Sequence, residues 1–125
     1  MASELRVNTL KDASGNNSIA TSFVANGSAK AWGHFEGSDA TLDDSLNTAS
    51  LTDSGTGSFS PQFSSNFSNG NFAGSANADV ALSTASASGY KLREHATSEV
   101  RIQTLENAAN SDENETTYVL FGDLA

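Results

Sequence analysis

The sequence predicts an all-β protein, an antiparallel sandwich or jelly-roll-like module, and three observations predict it. Windows placing apolar residues three and four positions apart are sparse, so amphipathic helices have little support. Ser, Thr, Asn and Gly punctuate nearly every segment, as they do where turns are frequent. Between the punctuation, short stretches alternate apolar and polar residues at period two, the spacing of a half-buried strand.

In chain order, Leu5, Val7 and Thr9 alternate with Arg6 and Asn8 and run into the turn-rich segment 12–17. Residues 18–24 and 29–36 read as paired strands around Asn26-Gly27, a dipeptide suited to a tight hairpin turn. Residues 46–51 read as a strand, 52–57 as a glycine turn, and 58–63 as a second strand with Phe59, Pro61 and Phe63 on one face. Because Pro61 lacks an amide donor, its strand should lie at a sheet edge, or the residue should face away from its partner. Phe67 and Phe72 flank Asn69-Gly70, and the Ala/Ser-rich stretch 77–88 has only Val80 and Leu82 as large aliphatics. Val100, Ile102 and Thr104 mark a half-buried strand over 98–105; 107–115 has the composition of an exposed acidic loop; Tyr118 to Phe121 forms a continuous apolar strand. About eight short strands at nearly regular spacing favour the sandwich or jelly roll. Residues 1–24 are assigned to an extended N-terminal arm and 25–125 to the β module.

Composition bounds what such a module can do. The chain has 125 residues, of which 37% are hydrophobic, so one modest core is all it can hold. Small polar residues offer little apolar area against the entropy of ordering them, which leaves disorder or burial between subunits; seven Phe, one Trp and two Tyr favour the second. A net charge of −9 with only six Lys and Arg argues against nucleic acid, whose affinity rests on clustered cations. No cysteine is present for a disulfide, the N-terminus does not read as a secretory signal, and no stretch approaches the ~20 apolar residues that cross a bilayer. A protein made in a cytoplasm, with no membrane insertion, is expected.

Catalytic chemistry finds little to work with. His34 and His95 are the two imidazoles, and each reads as an ordinary surface or partly buried residue rather than a base beside a nucleophile. Asp43-Asp44 and the group Asp112, Glu113 and Glu115 are candidate carboxylates. Hydrolysis of a glycosidic bond needs two carboxyls facing across a cleft, and the acidic group reads as a solvated loop, with calcium as its alternative. No phosphate loop, nucleophile elbow or zinc pairing is present, so no enzyme and no cofactor is expected. Trp32 and His34 fall on one face of their strand, and Ala31, Gly33 and Phe35 on the other; burial of Trp32 is favoured over stacking on a ligand.

The run Val24-Ala-Asn-Gly-Ser-Ala-Lys-Ala-Trp-Gly-His-Phe-Glu-Gly37 resembles the "NG-x-AKAW-x-x-F-x-G" segment of short fibre proteins of tailed, especially marine, bacteriophages. Asp44-Ser-Leu-Asn-Thr-Ala-Ser-Leu-Thr-Asp-Ser-Gly-Thr-Gly-Ser-Phe-Ser-Pro-Gln-Phe63 is similar to a second family stretch, and Tyr118-Val-Leu-Phe-Gly-Asp123 to its terminal apolar strand. The opening Glu4-Leu-Arg-Val-Asn-Thr-Leu-Lys-Asp-Ala-Ser-Gly15 resembles the segment preceding such modules. Leu46, Leu51 and Pro61 depart from the pattern, and 73–98 adds little to it.

The resemblance implies a virion protein, assembled in the host bacterial cytoplasm into a homotrimeric fibre with a β-rich tip. Small residues agree with this independently, because they allow close approach of backbones about a shared axis. On this reading Leu5, Val7 and Leu10 dock to another virion protein, while Trp32, Phe35, Phe59, Phe63, Tyr118 and Phe121 pack subunits. The outer surface would contact a host surface glycan or outer-membrane protein if the fibre is on the tail. The alternative is head decoration or a head fibre on the capsid, and a glycan depolymerase lacks its catalytic constellation.

Overall fold

A computed structural model describes residues 3–78, 89–106 and 108–125. The part of the Ala/Ser-rich stretch holding Val80 and Leu82 lies outside the described residues. The fold is all-β, with several antiparallel sheets and, among the described residues, one short helix.

The first hairpin pairs β1 (Thr9–Lys11) with β2 (Ser18–Ala20). Its loop is closed by Asp12, whose carboxylate accepts hydrogen bonds from the Asn16 amide at 3.0 Å, Ser14 Oγ at 2.9 Å and Asn17 Nδ2 at 2.7 Å. These bonds, led by the Asn17 amide, hold the Asp12 carboxyl below its ordinary pKa. Local side-chain closure of this kind competes with the Asn26-Gly27 turn and wins. The expected strand over 18–24 is therefore short, and α1 (Thr21–Gly27) follows it in place of a hairpin with 29–36. Asn26 and Gly27 end that helix, and it crosses position 24, where the sequence places the arm boundary.

The body begins at β3 (Ala31–Glu36) and β4 (Thr41–Leu46). The expected strand over 46–51 is split: Asn47 takes a left-handed φ of 57°, and β5 (Thr48–Asp53) starts in a different sheet. Asn is among the few residues that adopt this conformation cheaply. Its amide also ties the corner, donating to Ser65 O at 3.0 Å and accepting from Ser65 N at 2.7 Å. β6 (Ser58–Phe63), β7 (Ala73–Ala78), β8 (Gly89–Arg93), β9 (Arg101–Glu106), β10 (Ala109–Asn110) and β11 (Thr116–Phe121) complete the chain. One sheet has the order β4-β3-β11-β7; the other runs β10-β9-β6-β5, with β8 also on β9.

Pro61 lies in an interior strand, and its missing donor is accommodated by direction. Phe63, two residues on, sends its amide to Ser98 O at 2.8 Å, so the Pro61 nitrogen also faces away from β5, its full-length partner. On that side the β6–β9 ladder covers only Ser58 and Phe59, with an isolated bridge at Gln62–Glu99.

The two sheets share one core. Phe35, Ala76, Tyr118 and Leu120 come from the first, and Phe59, Phe63 and Ile102 from the second. Phe35 and Phe59 meet with centroids 5.1 Å apart; Phe63, Phe67 and Phe72 form an adjoining cluster on which His95 stacks at 4.6 Å. Each fully buried Phe contributes about 1.5–3 kcal/mol of burial. Over its described residues, 108–115, the acidic stretch is mostly exposed, as its composition suggests, but one carboxylate turns inward. Glu113 is buried, its carbonyl accepts from Gly37 N at 2.8 Å, and Asp112 Oδ1 accepts from Gly57 N at 2.5 Å. Glycine permits this seating, since a Cβ on Gly37 would sit 2.5 Å from Glu113 O.

Candidate functional site

Residues 3–28 carry six large apolar side chains, and all are exposed: Leu5, Val7, Leu10, Ile19, Phe23 and Val24, with Leu5 at 79% and Phe23 at 72%. The segment folds locally through Thr21, whose amide donates to Asn8 O at 2.9 Å and whose hydroxyl donates to Val7 O at 3.0 Å. No residue of α1 is buried. Leu5, Val7 and Leu10 are thus joined by three apolar residues that the expected hairpin pairing had placed elsewhere. Lys30 grips the helix end, its ammonium donating to Ala25 O and, at 2.9 Å, to Ser28 O.

The residues expected to pack subunits divide into two sets. Phe35, Phe59, Phe63 and Tyr118 lie in the interior of the chain's own two-sheet core, with no side-chain surface to offer a neighbour. Tyr118 is further held by a hydrogen bond with Thr48, and burial pushes its hydroxyl up to about 12, a shift which that bond partly opposes. Trp32 and Phe121 are different: Trp32 is half-buried and Phe121 is 37% exposed.

Cross-strand register explains the division. Trp32 pairs with Leu46 on one side and Val119 on the other, so the three side chains share the outer face of the first sheet. Phe121 follows Val119 at period two on the same face. Leu46 is 46% exposed, and Val119 is half-buried. The strip was hidden in the sequence because 118–121 reads as an unbroken apolar run, whereas its burial alternates strictly. On the row beside it, His34 Nδ1 lies 3.3 Å from Asp43 Oδ2, both side chains partly exposed.

His34 faces Asp43, and His95 covers Phe72 and lines a cavity with Ser75, Tyr90 and Leu92. Among the described residues no three His, Cys, Asp or Glu gather as metal ligands, and no helix is long and apolar enough to cross a membrane. Comparison with protein-family models, curated proteins and solved structures finds no match.

Proposed function

We propose that this chain is a structural virion protein of a tailed phage, a short homotrimeric fibre subunit that is tail-associated and contributes to host attachment. The observation that carries the reading is the contrast between a body with its own core and residues 3–28, whose six large apolar side chains are all exposed and contribute nothing to that core. A seven-residue helix and a hairpin of three-residue strands are too small to hold their form alone in water. An N-terminal segment built to dock on another virion protein accounts for both features. The motif resemblance over 24–37, 44–63 and 118–123 supplies the fibre identity.

Within this reading the two-sheet body is a sandwich-like fibre module, and the strip Leu46, Trp32, Val119 and Phe121 packs one subunit on the next. The outward surface meets a host glycan or outer-membrane protein. Native mass should return a trimer, and label should sit at the tail in electron micrographs of the particle. Deletion of residues 1–17 should abolish incorporation while preserving the trimer. A monomer at micromolar concentration, or incorporation that survives the deletion, would overturn the assignment; label over the whole capsid would replace it with head decoration.

A further inference from the structure

The outer face of the second sheet carries an arrangement of charge that folding alone does not favour. Arg93 on β8 and Arg101 on β9 are direct cross-strand partners, and Lys91 stands opposite Gln103 on the same face. Like charges in that position destabilise a sheet. The chain has only six Lys and Arg against fifteen Asp and Glu, yet three of the six are gathered here.

Among the described residues, only one arginine of the pair has a carboxylate partner. Arg101 Nη1 lies 2.8 Å from Glu94 Oε2, while its Nε is buried with no hydrogen-bond partner among the described residues. A buried donor left unmade costs about 1–3 kcal/mol. Arg93 instead donates to the neutral Gln103 Oε1 at 2.7 Å, and Gln103 Nε2 donates to Asn110 Oδ1 at 2.7 Å. This relay fixes the direction of the guanidinium without cancelling its charge. Glu94 is held at a φ of 49°, a left-handed conformation that a non-glycine residue adopts only at a cost.

These groups line one side of a cavity of about 440 Å³, and the turn carrying Ser54, Thr56 and Ser58 lines the other. The volume falls in the range of about 300–1,000 Å³ that holds small ligands. Guanidinium forks match the planar geometry of a carboxylate, and the hydroxyls and Asn110 suit the hydroxyls of a sugar. Among the described residues no aromatic side chain lines the cavity, so a neutral ring finds no stacking partner there. The net charge of −9 repels an extended polyanion and leaves a single charge as the fitting partner.

We propose that this cavity binds one carboxylate-bearing sugar unit at the end of a surface glycan, with Arg93 taking the carboxylate and Arg101, paired with Glu94, standing beside it. Its biological role rests on the host-attachment reading above; the binding itself does not.

The test is a calorimetric and NMR titration of the full-length protein with N-acetylneuraminic acid and with galacturonic acid, beside galactose, acetate and inorganic phosphate. At least one acidic sugar should bind in a 1:1 ratio per chain, shift the amides of 54–58 and 93–103, and bind at least tenfold more tightly than the other three probes. Arg93→Gln, which removes a charge bonded to the neutral Gln103, should weaken that binding at least tenfold with an unchanged unfolding midpoint. Arg93→Lys should recover part of it. Equal binding of acetate or phosphate, preference for galactose, or full affinity in the Arg93→Gln protein would each overturn the assignment. Those results leave native mass and particle location untouched, so the pocket and the fibre reading can fail separately.

Discussion

Gly33→Ala adds a single methyl group at the centre of the first sheet, and its effect can be worked from the structure. Gly33 in β3 lies opposite Tyr118 in β11, and a Cβ built there would sit 2.6 Å from Tyr118 Cε1 and 2.9 Å from both Cζ and Oη. Carbon atoms in good contact are about 3.5–4.0 Å apart, so the ring must move. It is buried and its hydroxyl is bonded to Thr48, which leaves no free direction. Replacing glycine inside a strand gains about 0.5–1 kcal/mol. Overpacking costs about 1–3 kcal/mol, and losing the Thr48 bond another 0.5–1.5 kcal/mol or so. The net expectation is a loss of about 1–3 kcal/mol. Urea unfolding followed by Trp32 fluorescence should show a lower midpoint with an unchanged slope. Against a Tyr118→Val background, where no ring stands in the way, the same methyl should cost little or stabilise. An equal loss in both backgrounds, or a Gly33→Ala protein as stable as the parent, would refute the reasoning.

Alkaline pH should loosen the same region: the Tyr118 pKa is raised from 10.0 to about 12 in the folded chain, so its contribution is complete below pH 10 and lost as pH rises toward 12. Tyr118→Phe should remove that dependence from a pH series of thermal midpoints, at a cost near neutrality of about 1 kcal/mol for the unpaired Thr48 hydroxyl. Asn47→Ala should destabilise by about 2 kcal/mol in urea unfolding through the left-handed backbone and the two lost bonds to Ser65, whereas Asn47→Asp should keep part of that stability through its remaining acceptor. Phe59→Ala should cost about 3–5 kcal/mol and leave a protein half-unfolded at low denaturant, measured the same way. Asp12→Ala should leave the global midpoint within about 0.5 kcal/mol, because its turn closes a segment that buries no large side chain, while the amide resonances of 12–17 shift.

Much of the strand architecture was legible because alternation and turn chemistry are local. The strands around Phe59 to Phe63 and Ile102 to Thr104 declare themselves by period two, and the glycine turn by its composition, although β5 runs on to Asp53 and leaves only 54–57 in the turn. What failed was competition between signals. Asn26-Gly27 is a strong hairpin cue, but the Asp12 loop offers β2 a nearer partner, and that pairing consumed the strand. The break at Asn47 gave no alternation to read, because it is a single residue turning the chain between sheets. Buried Glu113 escaped notice since its seating depends on a distant glycine, Gly37. Of the candidate surfaces, Leu5, Val7 and Leu10 could be read from an apolar pattern in a segment assigned no core. The arginine cavity could not, because Arg93, Arg101 and the 54–58 turn meet only when β8, β9 and β6 assemble.

The placement of β11 sets a schedule for the whole molecule. β11 is an inner strand of its sheet, inserted between β3 and β7, so β3, paired early with β4 on one edge, finds the partner for its other edge only in residues beyond 115. Closing so long a loop to complete the sheet is slow, and a growing chain on the ribosome holds the second edge of β3 unpaired until synthesis reaches the end of β11. A polar, heavily acidic sequence suits that interval, since charge repulsion keeps the waiting β3 edges of neighbouring nascent chains apart.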